Sequence, residues 1–203
     1  MIEVSQDGAL WVVTLNRPDK ANALTRPMLE AISAAVQSAQ TAGARALILT
    51  GRGTVFSAGA DLDAARAGLA VDLIWEEVSA AVAGFSGLTI AALNGSLAGG
   101  AMGMALACDL RLCVPEAKIF YPVMRLGYLP QPSDPARLVA LVGPARAKMI
   151  LLAGVKVAAP EALAWGLIDR ILPPDDLIPA ARDLAADVLA AGPRHAAAIK
   201  RMI

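Results

Sequence analysis

From Val78 to Cys108 the chain carries no charged residue. A stretch of that length has to be hidden from water, either across a bilayer or inside a globular core. It contains Gly95-x-x-x-Gly99 and Gly99-x-x-x-Gly103, a spacing that pairs helices in membranes. A membrane helix needs about 20 strongly apolar residues in a row. Here the run is interrupted by Ser86, Gly87, Thr89, Asn94, Gly95, Ser96, Gly99 and Gly100. A buried strand followed by a buried helix accounts for the same residues, so the stretch predicts the covered centre of a layered α/β protein and no membrane span.

The flanking sequence repeats that alternation. Residues 10–15, Leu-Trp-Val-Val-Thr-Leu, are strand formers, and Ile2 to Val4 pair with them as a hairpin around Asp7-Gly8. Thr25 is an N-cap candidate with Pro27 in the first turn. Met28, Ile32, Ala35, Val36 and Ala39 then follow helical spacing up to Gly43. Ala46 to Thr50 is a short apolar run, as expected of a strand covered on both faces. Further helices are predicted at 71–86, from Gly99, at 135–153, from Pro160, at 175–190 and at 194–202. Further strands are predicted at 88–93, 109–114 and 167–172. Strand-helix alternation of this kind packs helices on parallel strands.

Composition removes several classes of function. Eighteen basic residues balance eighteen acidic ones, and three Trp, two Tyr and three Phe offer no stacking platform, so no nucleic-acid partner is expected. Cys108, Cys113 and the single His195 cannot build a Cys/His metal cluster. Two isolated cysteines fit a reduced, intracellular protein, and the run between them disfavours a disulfide. Met1-Ile2-Glu3-Val4 lacks the basic and apolar regions of a secretory signal. The expected location is cytoplasmic.

Two loops concentrate small residues at strand ends. One runs from Leu49 to Leu62 through Phe56-Ser57-Ala58-Gly59-Ala60-Asp61. The other is Asn94-Gly95-Ser96-Leu97-Ala98-Gly99-Gly100-Ala101-Met102-Gly103. Small residues let backbone approach a ligand, and the carboxyl ends of strands are where open α/β sheets bind one. Gly99-Gly100 is placed to open a helix, whose free N–H groups favour negative charge. The second loop is no P-loop, since Ala101 stands where that motif needs lysine. Tight strand-helix packing would also use such glycines.

Taken together and in order, these segments resemble the enoyl-CoA hydratase/isomerase, or crotonase, superfamily. The resemblance rests on Asn16-Arg17-Pro18-Asp19-Lys20-Ala21-Asn22-Ala23-Leu24, Phe56 to Leu62, and Ile90-Ala91-Ala92-Leu93-Asn94-Gly95 with Gly99-Gly100. It extends to Cys108-Asp109-Leu110-Arg111, Leu126-Gly127-x-x-Pro130 and Ala162-x-x-x-Gly166-Leu167-Ile168-Asp169. It implies an α/β fold with a ββα spiral core over residues 1–175 and a C-terminal helical segment over 176–203. It also implies a homotrimer or dimer of trimers and an acyl-CoA ligand of the kind fatty-acid metabolism handles. The coenzyme A thioester would be substrate, with no permanently bound cofactor. Carried over by position, the N–H groups of Ala58 and Gly100 form the oxyanion hole. Lys20, Ala21, Ala23, Ala60, Asp61 and Leu62 line the coenzyme A site. Lys20 would meet a phosphate, unless it is a solvated turn residue, and Asp61 has a competing role as helix N-cap.

The chain departs from the family pattern at the proton-transfer positions. In the hydratases two glutamates position water, and the matching residues here are Gly103 and Val123. Asp134 is the candidate acid/base in their place, with helix capping before Pro135 as the competing reading. Glu76 and Glu77 lie on a helix expected to cover the pocket, with a solvated face as their alternative. Tyr121 and Tyr128 are weaker candidates, and His195 is expected at the surface. Typical members continue beyond the helix ending near Met202, so a more open pocket, or one completed by another subunit, is expected. The resulting reading is a lyase or isomerase that stabilises a thioester enolate. The alternative is a non-catalytic acyl-CoA-binding or scaffold protein.

Overall fold

The computed structural model describes residues 1–203, the side chain of Pro193 excepted. In chain order, β1 (Ile2–Asp7), β2 (Leu10–Leu15), α1 (Arg26–Thr41), β3 (Ala46–Gly51), β4 (Val55–Ser57), α2 (Leu62–Arg66) and α3 (Ile74–Ala83) form the first part. Then come β5 (Leu88–Leu93), β6 (Ser96–Ala98), α4 (Met102–Leu106), β7 (Leu110–Cys113), β8 (Lys118–Phe120), α5 (Val123–Leu126) and α6 (Asp134–Leu151). The chain closes with β9 (Val157–Ala158), α7 (Ala159–Trp165), β10 (Arg170–Ile171), α8 (Pro174–Ala190) and α9 (Pro193–Lys200).

Two sheets organise these elements. One has the order β1-β2-β3-β5-β7-β10, and the other has the order β4-β6-β8-β9. In the first, β1 and β2 are the antiparallel hairpin predicted around Asp7-Gly8, and the other pairings are parallel. Three times the chain runs a strand of the first sheet, then one of the second, then a helix: β3-β4-α2, β5-β6-α4 and β7-β8-α5. This is the ββα repeat that the resemblance implies.

The reason for the layering is burial. Ala46, Leu47, Ile48 and Leu49 of β3 are 2% exposed or less, so both faces are covered. On α1 the buried face is Met28, Leu29, Ile32, Ala35, Val36 and Ala39, the predicted stripe plus Leu29. The charge-free stretch becomes the second half of α3, β5, β6, a 3-10 turn at Gly99–Ala101 and α4, and the residues of α4 are all buried. No helix among the described residues is long and apolar enough to cross a membrane.

Several elements differ from expectation in extent. The helix predicted at 71–86 is shortened to α3, because Asp72 accepts the Ile74 N–H at its start. The strand predicted at 167–172 pairs only at Arg170 and Ile171, since Leu167 and Ile168 bond back to Ala162 as the turn leaving α7. The helix at 134–151 is kinked, with Gly143 at φ 78° and Pro144 following. Thr25 holds the N-cap position of α1, but its side chain makes no capping bond.

Two of the segments that carry the resemblance are structural locks. Arg111, 5% exposed, donates to the carbonyls of Leu167 (3.0 Å), Cys108 (2.6 Å) and Asp109 (3.3 Å). It also faces Asp169 Oδ2 at 3.4 Å. The Cys108-to-Arg111 and Gly166-to-Asp169 segments are thus stapled by one guanidinium. The two thiols are free, and burial pushes both up to about 12, which excludes them as nucleophiles near neutral pH.

Candidate active site

The N-terminal segment builds the floor of the first loop. Asn22 is fully buried at φ 52°. Its amide accepts the Arg17 N–H (2.8 Å) and donates to the carbonyls of Arg52 (2.9 Å) and Val55 (2.7 Å). A single buried amide with three bonds satisfied pins the hairpin exit to the turn before β4. The Ser57 hydroxyl donates to Asn22 O (2.9 Å) and accepts the Gly59 N–H (3.1 Å). Around them, Ala58 N–H donates to Ala21 O, Leu24 N–H to Gly59 O, and Asp61 N–H to Leu24 O.

The two small-residue loops then meet backbone to backbone. A Cβ on Gly59 would stand 2.9 Å from Ala98 O and 3.3 Å from Gly99 Cα, and Gly59 has φ +89°. Glycine is needed there on both counts. Ala60 and Gly100, the residues that follow this contact on each loop, both line a cavity of about 340 Å3. Its lining includes Ala58, Leu62, Gly99, Trp75, Tyr121, Val123, Tyr128 and Gln131.

One carried-over assignment needs correction. The Ala58 N–H is already bonded to Ala21 O at 3.0 Å and cannot also point at a ligand. Two residues on, the Ala60 N–H has no acceptor in the protein among the described residues. The Gly100 N–H is the second of a 3-10 turn, where a backbone donor has no acceptor within the helix. Because α4 has only five residues beyond that turn, the helix dipole adds little, and the free N–H groups carry the local positive charge.

The other expected residues divide. Ala60 and Leu62 line the cavity. Lys20 is exposed and Ala21 and Ala23 are half-buried on the strip bonded to the first loop, outside the cavity lining. Asp61 is a helix N-cap: it accepts from the N–H groups of Asp63 (3.1 Å) and Ala64 (3.3 Å) and pairs with Arg17 at 2.8 Å. The Arg17 hydrogen bond, then those backbone donors, lowers its carboxyl below the usual range.

Asp134 does not cap α6; the N-cap is Ser133. Its Oδ2 accepts the Tyr121 hydroxyl at 2.9 Å, while Oδ1 has no hydrogen-bond partner. Burial raises this carboxyl to about 6, against lowering by the Tyr121 bond and the nearby Arg137. Burial, then the charge of Asp134, raises the Tyr121 hydroxyl far above its ordinary value. Glu76 is not part of a solvated face, because its carboxylate accepts both the N–H and the hydroxyl of Ser133 and so ties α3 to the start of α6. Glu77 and His195 are exposed.

Trp75 was missed in the sequence. Its indole lies against Gly100, where a Cβ would come within 3.1 Å of the ring, and its Nε1 donates to Leu69 O at 2.7 Å. Only its place on the pocket-covering helix hinted at this.

Fold and site define an α/β protein of stacked ββα units, in which two glycine-bearing loops, each with a backbone N–H that has no acceptor in the protein among the described residues, line an apolar cavity. The chain belongs to the enoyl-CoA hydratase/isomerase family, which it matches over residues 5–203. It is 39% identical to YngF of Bacillus subtilis (strain 168) over 190 residues, 90% of this chain and 73% of that one. It is 34% identical to the carnitinyl-CoA dehydratase of Salmonella arizonae, over 99% of this chain and 79% of the relative. Among solved structures, enoyl-CoA hydratase subunit I of Geobacillus kaustophilus HTA426 superposes with TM-score 0.90 at 33% identity, covering 98% of this chain and 79% of that one. DspI of Pseudomonas aeruginosa gives TM-score 0.90 at 33% identity, with 98% and 84% covered.

Proposed function

We propose that the protein processes acyl-coenzyme A thioesters by holding the thioester carbonyl between the N–H groups of Ala60 and Gly100 as it gains enolate character. The observation that carries this reading is the pair of backbone donors left without protein acceptors beside one apolar cavity. Two preorganised donors stabilise charge as it develops, and each is typically worth about 2.7–4 kcal/mol in the transition state. The cavity is lined by Leu62, Trp75, Val123 and Leu129 among others, which suits an acyl chain. The relatives named above point to the same ligand class.

Gly103 and Val123 make simple water addition by two glutamates unavailable. That observation favours one rival, a protein that binds acyl-CoA without turning it over. Calorimetric titration with butyryl-CoA and with free coenzyme A tests the shared part. Saturable binding that is tighter for the thioester is expected, and no binding of either would overturn both readings. Conversion of crotonyl-CoA, followed by enoyl absorbance, together with α-hydrogen exchange in saturated acyl-CoA, then separates enzyme from binder. Tight binding with neither activity would leave the binder.

A further inference from the structure

Behind Gly100 lies a polar cluster that the reading above does not use. Gly103 follows one turn later, and a Cβ there would meet Asp134 Oδ1 at 2.9 Å and Oδ2 at 3.4 Å. The carboxyl of Asp134 therefore fills the space where a side chain at position 103 would begin. It arrives from α6 rather than from α4. Asp134 is 1% exposed, and Oδ1 has no hydrogen-bond partner. Arg137 Nη1 is 4.0 Å from it, beyond hydrogen-bond reach. Oδ2 accepts the Tyr121 hydroxyl, and that oxygen in turn accepts the Gln131 N–H at 3.3 Å. Tyr121 belongs to the same cavity wall as Ala60 and Gly100. A buried carboxylate with empty acceptor positions costs free energy, and here the cost is borne one residue behind the cavity surface.

We propose that Tyr121 is a catalytic residue whose hydroxyl exchanges a proton with the acyl carbon next to the thioester, and that Asp134 is the positioning residue that takes up and returns the phenol's own proton as it does so. The proposal rests on the acyl-thioester reading. In the forward step the C–H bond at that carbon breaks. Its electron pair forms the enolate double bond, and charge moves to the thioester oxygen between the Ala60 and Gly100 N–H groups. The proton bonds to the Tyr121 oxygen while the phenol's own proton moves to Asp134 Oδ2. Tyr121 begins and ends neutral, as its raised hydroxyl requires, and Asp134 ends protonated. The reverse step restores both groups, so no oxidant or other co-reactant is needed.

The test is α-hydrogen exchange of butyryl-CoA in deuterium oxide, read by NMR. A parallel assay follows the absorption red shift of bound 4-dimethylaminocinnamoyl-CoA, which reports carbonyl polarisation without proton transfer. Tyr121→Phe and Asp134→Asn are expected to slow exchange by about 100-fold or more while both keep the red shift, which also shows that they fold. Wild-type exchange should fall as pH drops through about 6, since Asp134 must be ionised to accept the proton. Asp134→Asn should lose that inflection. The other charged groups facing Asp134 are Arg137 on α6 and Glu76 on α3. Exchange in both variants within a few-fold of wild type, or a wild type that shifts the chromophore but exchanges nothing, overturns the proposal. A wild type that binds no thioester removes the underlying reading first, and the proposal with it.

Discussion

Gly103 and Asp134 are coupled by contact: glycine leaves the space that the carboxyl occupies. Gly103→Ala should push the carboxyl away from Tyr121 and destabilise the fold by about 1–3 kcal/mol. In an Asp134→Ala background the same change should cost much less, giving a coupling of about 0.5–3 kcal/mol in chemical denaturation. Additive effects would show that the contact is unimportant. The raised carboxyl of Asp134 also sets a pH dependence. Its folded-state value of about 6 lies above the ordinary 3.8. The stability gained from binding that proton is therefore fully present below about pH 4 and lost as pH rises through about 6. Relative to wild type, Asp134→Asn should gain roughly 2 kcal/mol of stability between pH 4 and pH 7, measured by denaturation at both pH values. In sequence, Asp134 was a recognisable candidate because the usual acid positions held Gly103 and Val123. Its partnership with Tyr121 was not recognisable, because it depends on a contact between the end of β8 and the start of α6.

At the scale of elements, the first loop shows why its free backbone donor lies two residues beyond the position that the resemblance implies. A loop of small residues offers several N–H groups in succession, and only the tertiary path decides which are already paired. Ala21 O captures the Ala58 N–H, while the bridge bonds of Leu24 run to Gly59 O and from Asp61 N and skip Ala60. Ala58→Pro should therefore lower thermal stability, since it removes a made hydrogen bond. Ala60→Pro removes no protein hydrogen bond and should leave the melting temperature nearly unchanged while lowering turnover about 100- to 1,000-fold. Equal effects of the two changes would refute the reassignment. The long strands and helices were legible because they carry periodic apolar faces. β4, β6, β8 and β9 were not, because strands of two or three residues show no alternation to read. These short strands make the second sheet, which brings the two loops together.

Across the whole molecule, the frame that holds the site is tied at a distance from it. Arg111 joins β7 to the turn after α7 through buried carbonyls and Asp169. Arg111→Ala leaves those groups unpaired and should cost roughly 3–5 kcal/mol in denaturant unfolding. A loss within 1 kcal/mol would show the lock to be dispensable. The family and the ββα plan were readable from six segments in register, since the order of motifs along a chain survives when single residues change. What those segments could not convey is which backbone donors stay free at the cavity, and the account turns on Ala60 and Gly100. The most direct measurement is the absorption spectrum of 4-dimethylaminocinnamoyl-CoA bound to the wild-type chain and to Ala60→Pro. A red shift on binding to wild type that is lost in Ala60→Pro, with folding retained, is the predicted result. Binding to wild type without a shift, or an unchanged shift in Ala60→Pro, would contradict it.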